Sequence, residues 1–178
     1  MYQKIIDFWF TELEPKQWWQ KDVAFDLMIQ TRFGAVHNQA KAGELFHWRE
    51  TALGSLAEVI VIDQFSRNIY RDKPESFACD SMALALAQFT ISKGLDSELS
   101  QIQRIFLYIP FMHSESKLIH TEAVRLFSSV GIQSNLDFEY KHKEIIDRFG
   151  RYPHRNAILG RQSTKDEIEF LKLPNSGF

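Results

Sequence analysis

The chain reads as an all-α protein built from antiparallel helical hairpins, and three observations carry that reading. Apolar residues recur at three- and four-residue spacing along almost the whole length. Helix-stopping glycines (Gly43, Gly94, Gly131 and Gly150) fall where these periodic segments end. No turn dipeptide joins two alternating runs, so no strand pair is predicted.

The elements follow in order. Met1 to Phe10 has a short apolar stretch interrupted by Asp7, which is not the pattern of a secretory signal. After Lys21, the residues Phe25, Met28, Ile29, Phe33, Val36 and Ala40 mark one face of a long helix, with Asp22 as N-cap and Gly43 as stop. A second helix is predicted from Ser55 to about Asn68. It is apolar on most sides and therefore central. Val59 to Ile62 also suits a buried strand, but the spacing of Leu53, Leu56 and Ile60 favours helix.

Pro74 precedes a third helix, Ser76 to Lys93. Asp96 or Ser97 then caps a fourth, in which Leu99, Ile102, Phe106 and Ile109 share a face and which Pro110 ends or kinks. Ile119, Ala123, Leu126, Phe127 and Val130 define a fifth. Phe138, His142, Ile145, Ile146 and Phe149 define a sixth. Thr164-Lys165-Asp166-Glu167 is a capping box for a last short helix that ends before Pro174.

With 178 residues, 44% of them hydrophobic and 25% charged, the chain can bury a core without disulfides or a structural metal, and it is expected to form one domain over residues 1–178. Fifteen phenylalanines are expected to fill that core. The net charge of -2 gives no field that would draw the chain to nucleic acid or to an anionic membrane, and no window approaches the ~18 apolar residues of a membrane span. Cys79 is the one cysteine, which excludes an intrachain disulfide and suits a reducing compartment, so the cytoplasm is the expected address. It is expected within the third helix as a small buried hydrophobe. No cofactor-binding or metalloprotease motif occurs, and neither cofactor nor metal is predicted.

Three polar stretches interrupt the apolar pattern. Asp63-Gln64-Phe65-Ser66-Arg67-Asn68 closes the second helix. There, Asp63 and Arg67 are spaced to pair on one helical face, while Arg67 and Asn68 are candidate ligand contacts. Pro110-Phe111-Met112-His113-Ser114-Glu115 presents an imidazole and a carboxylate at a helix break. His113 and Glu115, with Asp63, are therefore the candidate acid–base groups. Read structurally, Ser114 or Ser116 caps the next helix there and Glu115 lies in its first turn. A metal would need a third ligand from His142, His154 or Asp63.

The third stretch, His142 to Thr164, carries Arg148, Arg151, Arg155 and Arg161, with no acid between Arg148 and Arg161. Guanidinium forks bind carboxylates and phosphates, which makes these arginines, with His142, His154 and Asn156, candidates for holding a small anion. The structural alternative pairs Glu144 with Arg148 and Asp147 with Arg151, and bonds His142 to a neighbouring carbonyl.

Phe8-Trp9-Phe10, Gly43-Glu44-Leu45 before Trp48, Asp63 to Asn68, Pro110 to Glu115, Arg148 to Asn156, and Leu159-Gly160-Arg161-Gln162-Ser163-Thr164 stand in this order along the chain. Together they resemble the bacterial family catalogued as domain of unknown function 924. The resemblance implies a fold similar to tetratricopeptide-repeat proteins, with hairpins stacked into a right-handed superhelix, and it implies no activity. Small-x-x-x-Phe spacings at Ala85/Phe89 and Ala123/Phe127 are the only repeat signal in the residues themselves.

Three functional readings follow. One is a binding module whose Arg- and His-lined groove takes a peptide or a small anion. The second is an enzyme using His113 and Glu115. The third is a polar network that fixes how helices meet.

Overall fold

The computed structural model describes residues 1–174, 176 and 177. Every regular element among them is helical: α1 (Tyr2–Asp7), α2 (Val23–Lys41), α3 (Ala52–Ile69), α4 (Asp80–Ser92), α5 (Gln101–Met112), α6 (Lys117–Val130), α7 (Gln133–Phe149) and α8 (Lys165–Leu171), with short 3-10 turns between them. The chain divides into two compact units. One comprises Met1–Arg71 with Glu75–Pro110, the other Asp72–Pro74 with Phe111–Phe178. Among the described residues no helix is long and apolar enough to cross a membrane.

The first unit is organised around α3, on which α1, α2 and α4 pack. That position follows from its sequence. From Gly54 to Ser66 every residue is buried, as a helix apolar on most sides requires. It begins three residues before the predicted Ser55, because the Thr51 hydroxyl accepts the Gly54 amide at 3.1 Å and caps it there. Gly54 also lies so close to the preceding turn that a Cβ would sit 2.1 Å from the Trp48 carbonyl oxygen. Helix α2 begins as predicted, with the Asp22 carboxylate accepting the amides of Ala24 and Phe25.

Phe8, Phe33 and Phe65 pack ring against ring, with centroids 4.8 Å (Phe8–Phe33) and 5.2 Å (Phe33–Phe65) apart, while Trp9 meets Phe106 edge-on at 5.6 Å. Each such fully buried ring contributes about 2–3 kcal/mol of transfer free energy. A wide turn over Phe8–Glu12, closed by the Leu13 amide on the Phe8 carbonyl, sets Phe8 and Trp9 inward.

Several boundaries depart from expectation. The third predicted helix begins at Asp80, not Ser76. Pro74–Ser76 form a 3-10 turn, and Cys79 stands half-buried just before the helix. Burial pushes its thiol up, the opposite of an activated nucleophile. Neither Asp96 nor Ser97 caps α5. Ser100 does so, in a reciprocal exchange with Gln103. Pro110 neither ends α5 nor removes its last turn, and the helix runs on to Met112.

In the second unit α6 packs on α7, and Ile145, Ile146 and Tyr152 form a core joined by Phe149 and Phe170. Helices α6 and α7 both end on glycines in the left-handed conformation, Gly131 and Gly150. The inward stripe of α7 differs from prediction, since Phe138 is 48% exposed while Glu139 is fully buried.

Candidate functional site

The densest polar construction lies in the second unit, on the loop between α7 and α8. After Gly150 turns the chain, Tyr152 is driven inward as a core residue, and its backbone becomes an anchor. The Glu115 carboxylate accepts the Tyr152 amide at 2.7 Å and takes Arg161 in a two-pronged pair at 2.6 and 2.9 Å. Arg161 also donates to the Tyr152 carbonyl and to Asn156 Oδ1, and Asn156 in turn donates to Ser163. Burial pushes the Glu115 carboxyl up, but Arg161, the Tyr152 amide and the charge of Arg155 together hold it below its ordinary value.

Arg151 makes a similar fork to buried Glu167, at 2.6 and 2.8 Å, and donates to the Gln162 carbonyl. Glu167 also accepts the Thr164 amide while Thr164 Oγ1 accepts the Glu167 amide, which completes the predicted capping box. The Arg151 fork pulls the Glu167 carboxyl down to about 2.

Three nitrogenous side chains stand closest to the Tyr152 ring. The Arg155 guanidinium carbon lies 4.6 Å from its centroid, and the rings of His154 and His142 lie 5.4 and 5.8 Å away. His142 donates from Nδ1 to the Phe138 carbonyl at 2.8 Å, the bond predicted for a core histidine. Burial lowers it to about 3, with the positive influence of His113, His120 and His154 adding to that effect. Burial likewise lowers His154 to about 4, helped by Arg155 and opposed by Glu115. The Tyr152 hydroxyl donates to the Met112 carbonyl at 2.5 Å and lies 3.2 Å from His120 Nε2. His120 is fully buried and meets the equally buried Glu139 at 2.7 Å.

The structure therefore gathers Glu115, Arg151, Arg155, Asn156, Arg161, His142 and His154 on or beside this loop. His113, half-buried at the end of α5, is near enough to influence His142 and His154 electrostatically. Arg148 stays exposed over the Phe149 ring, at 4.6 Å. The predicted Asp147–Arg151 pair is replaced, because Asp147 takes Lys143 and Arg151 takes Glu167. Ser116 stands at the N-cap of α6 but makes no side-chain cap bond, and Glu115 precedes the helix, turned toward Arg161.

Asp63, Arg67 and Asn68 belong to the first unit. The predicted Asp63–Arg67 pair forms at 3.2 Å, with Arg67 also reaching Asp80 at 3.0 Å and Gln64 donating to Asp63. Asn68 donates to Asp26, which Arg71 grips through two nitrogens at 2.5 and 2.7 Å. Among the described residues no group of three or more His, Cys, Asp or Glu is arranged to hold a metal ion.

Sequence reasoning did not single out Tyr152, His120, Glu139, Asp26 or Arg71, and it gave Glu167 only its place in the capping box of α8. The signal for two of them was present, since His120 and Glu139 fall on the inward phase of their helices, three residues before Ala123 and His142.

The bacterial family described as "Bacterial protein of unknown function (DUF924)" matches residues 5–175. The chain belongs to DUF924. A solved structure titled "Structure of Protein of Unknown Function ATU0120 from Agrobacterium tumefaciens" is similar to it, with 37% identity, 96% of each chain covered and a TM-score of 0.91. No curated protein matches the chain. The DUF924 fold is thus shared with a solved structure whose title assigns no activity.

Proposed function

We propose that the chain is a binding module for a small anionic ligand, taken at the Tyr152 cluster of the second unit. The observation that carries this reading is the convergence of Arg155, His154 and His142 on one aromatic ring, at 4.6, 5.4 and 5.8 Å. A guanidinium over an aromatic face carries its donors in one plane, the geometry that suits a planar carboxylate. Buried imidazoles held neutral beside it can take up a proton when a negative group arrives. His154, His113 and Arg161 are half-buried and give such a ligand a point of approach. An acidic peptide side chain satisfies the same chemistry.

The test is a titration with succinate, citrate and inorganic phosphate, followed by the histidine ring resonances. The expected result is selective shifts of His154 and His142, weakening with salt, and at least a tenfold affinity loss in Arg155→Met. Unmoved histidine resonances at millimolar anion would end the reading.

A second reading, a structural polar network, is favoured by the two-pronged Glu115–Arg161 and Arg151–Glu167 pairs, which tie two arginines of the loop to carboxylates of the same unit. Under it, the same substitutions lower stability and no anion protects the fold. An acid–base role for Glu115 would require it to leave Arg161 and the Tyr152 amide, both of which favour its charged form.

A further inference from the structure

Helices α6 and α7 each bury a titratable side chain where they meet, and these two touch. His120 and Glu139 are both fully buried, with Nδ1 and Oε1 2.7 Å apart. On the far side of the imidazole, Nε2 faces the Ser114 carbonyl at 2.8 Å. A carbonyl only accepts, so Nε2 carries a hydrogen. The Tyr152 hydroxyl, 3.2 Å from the same nitrogen, spends its own hydrogen on the Met112 carbonyl and faces Nε2 as an acceptor too. One proton is then left to lie between Nδ1 and Oε1.

Where that proton rests is decided by the other carboxyl oxygen. Glu139 Oε2 is buried and has no hydrogen-bond partner. A carboxylate charge spread over an oxygen without a donor costs several kcal/mol in a dry interior, whereas a carbonyl-type oxygen in the same place costs far less. The groups around the pair do not reverse this. Lys143, one turn along α7, favours the charged carboxylate, and Asp147 lies within electrostatic reach of His120, but these two charges are spent on each other at 2.5 Å. His142 on α7 is held neutral by burial, and Tyr152 enters as an uncharged phenol.

We infer that Glu139 is a neutral carboxylic acid in the folded chain and donates its proton to His120 Nδ1, so that the pair is a one-proton clasp between α6 and α7 which alkali opens. The direction agrees with burial, which pushes the Glu139 carboxyl up against the opposing influence of His120 and Lys143. Loss of the proton leaves a carboxylate facing an imidazole lone pair, two acceptors at hydrogen-bond distance with nothing between them. In an unfolded chain at alkaline pH, both side chains are deprotonated. The folded state then holds one proton more than the unfolded state, and stability falls as pH rises above neutrality.

The experiment is a carboxyl 13C titration of the full chain labelled in glutamate. One Cδ resonance is expected to keep its protonated position at pH 7 and to be absent from Glu139→Gln. The glutamine amide can donate to Nδ1 in place of the acid, so E139Q is expected to fold. It should also lose one proton's worth of the alkaline decline, a factor of up to ten in the folding constant per pH unit. If no glutamate carboxyl keeps its protonated position at pH 7, the inference is overturned. Should E139Q fail to fold, the wild-type titration alone decides.

Discussion

Glu115 and Arg161, forty-six residues apart in the chain, meet through two nitrogens and two oxygens while both also hold the backbone of Tyr152, one its amide and the other its carbonyl. The pair is thus a splint for a loop residue, and its two charges are not interchangeable with any others. Arg161→Lys keeps the charge but offers one nitrogen where the loop uses three. It is expected to cost about 2 kcal/mol in urea unfolding, and Glu115→Ala, which strips the Tyr152 amide as well, about 3 kcal/mol.

Acid should open the same loop. Glu115 and Glu167 both have folded values below their unfolded ones, so each adds stability that is present above the unfolded carboxylate range. That stability is lost as pH falls, for Glu167 through about 2. His142 and His154, lowered to about 3 and 4, act in the same sense: their contribution is full above the ordinary histidine value and declines as pH falls toward those numbers. A fluorescence-monitored acid titration of Glu167→Gln is expected to start from a lower stability, by about 2 kcal/mol, and to show a shallower acid decline than wild type.

Two glycines in helices should respond oppositely to alanine. At Gly54 a Cβ would lie 2.1 Å from the Trp48 carbonyl oxygen, a backbone atom that cannot swing aside. Gly54→Ala is expected to cost about 3 kcal/mol or more by displacing the start of α3. At Gly34, inside α2, nothing lies within 4 Å of the same position, and Gly34→Ala is expected to add about 0.5–1 kcal/mol. Thermal midpoints of the two variants check both signs.

What could be read from sequence was what local chemistry decides. The Asp22 cap, the Thr164 box, the terminating glycines and the centrality of α3 each rest on a handful of neighbouring residues, and each is found. The Asp63–Arg67 pair and the His142 bond to Phe138 were legible for the same reason, being one helical turn long. Partnerships across larger separations were not. Spacing favoured Asp147 for Arg151, yet the loop carries Arg151 to Glu167, where a buried carboxylate makes a far stronger claim than an exposed one a turn away. Glu139 was hidden because a carboxylate on an apolar stripe is assigned to solvent by habit, and only the imidazole of His120 on another helix gives it a reason to be inside.

Glu167 serves two masters at once. It closes the first turn of α8 by accepting the Thr164 amide, and it is the counter-ion of Arg151 sixteen residues earlier. Unwinding that turn therefore strands a guanidinium, and releasing the guanidinium loosens the turn. The last helix and the loop before it should accordingly exchange their amide hydrogens with solvent as a single cooperative segment, with no independent fraying at the start of α8.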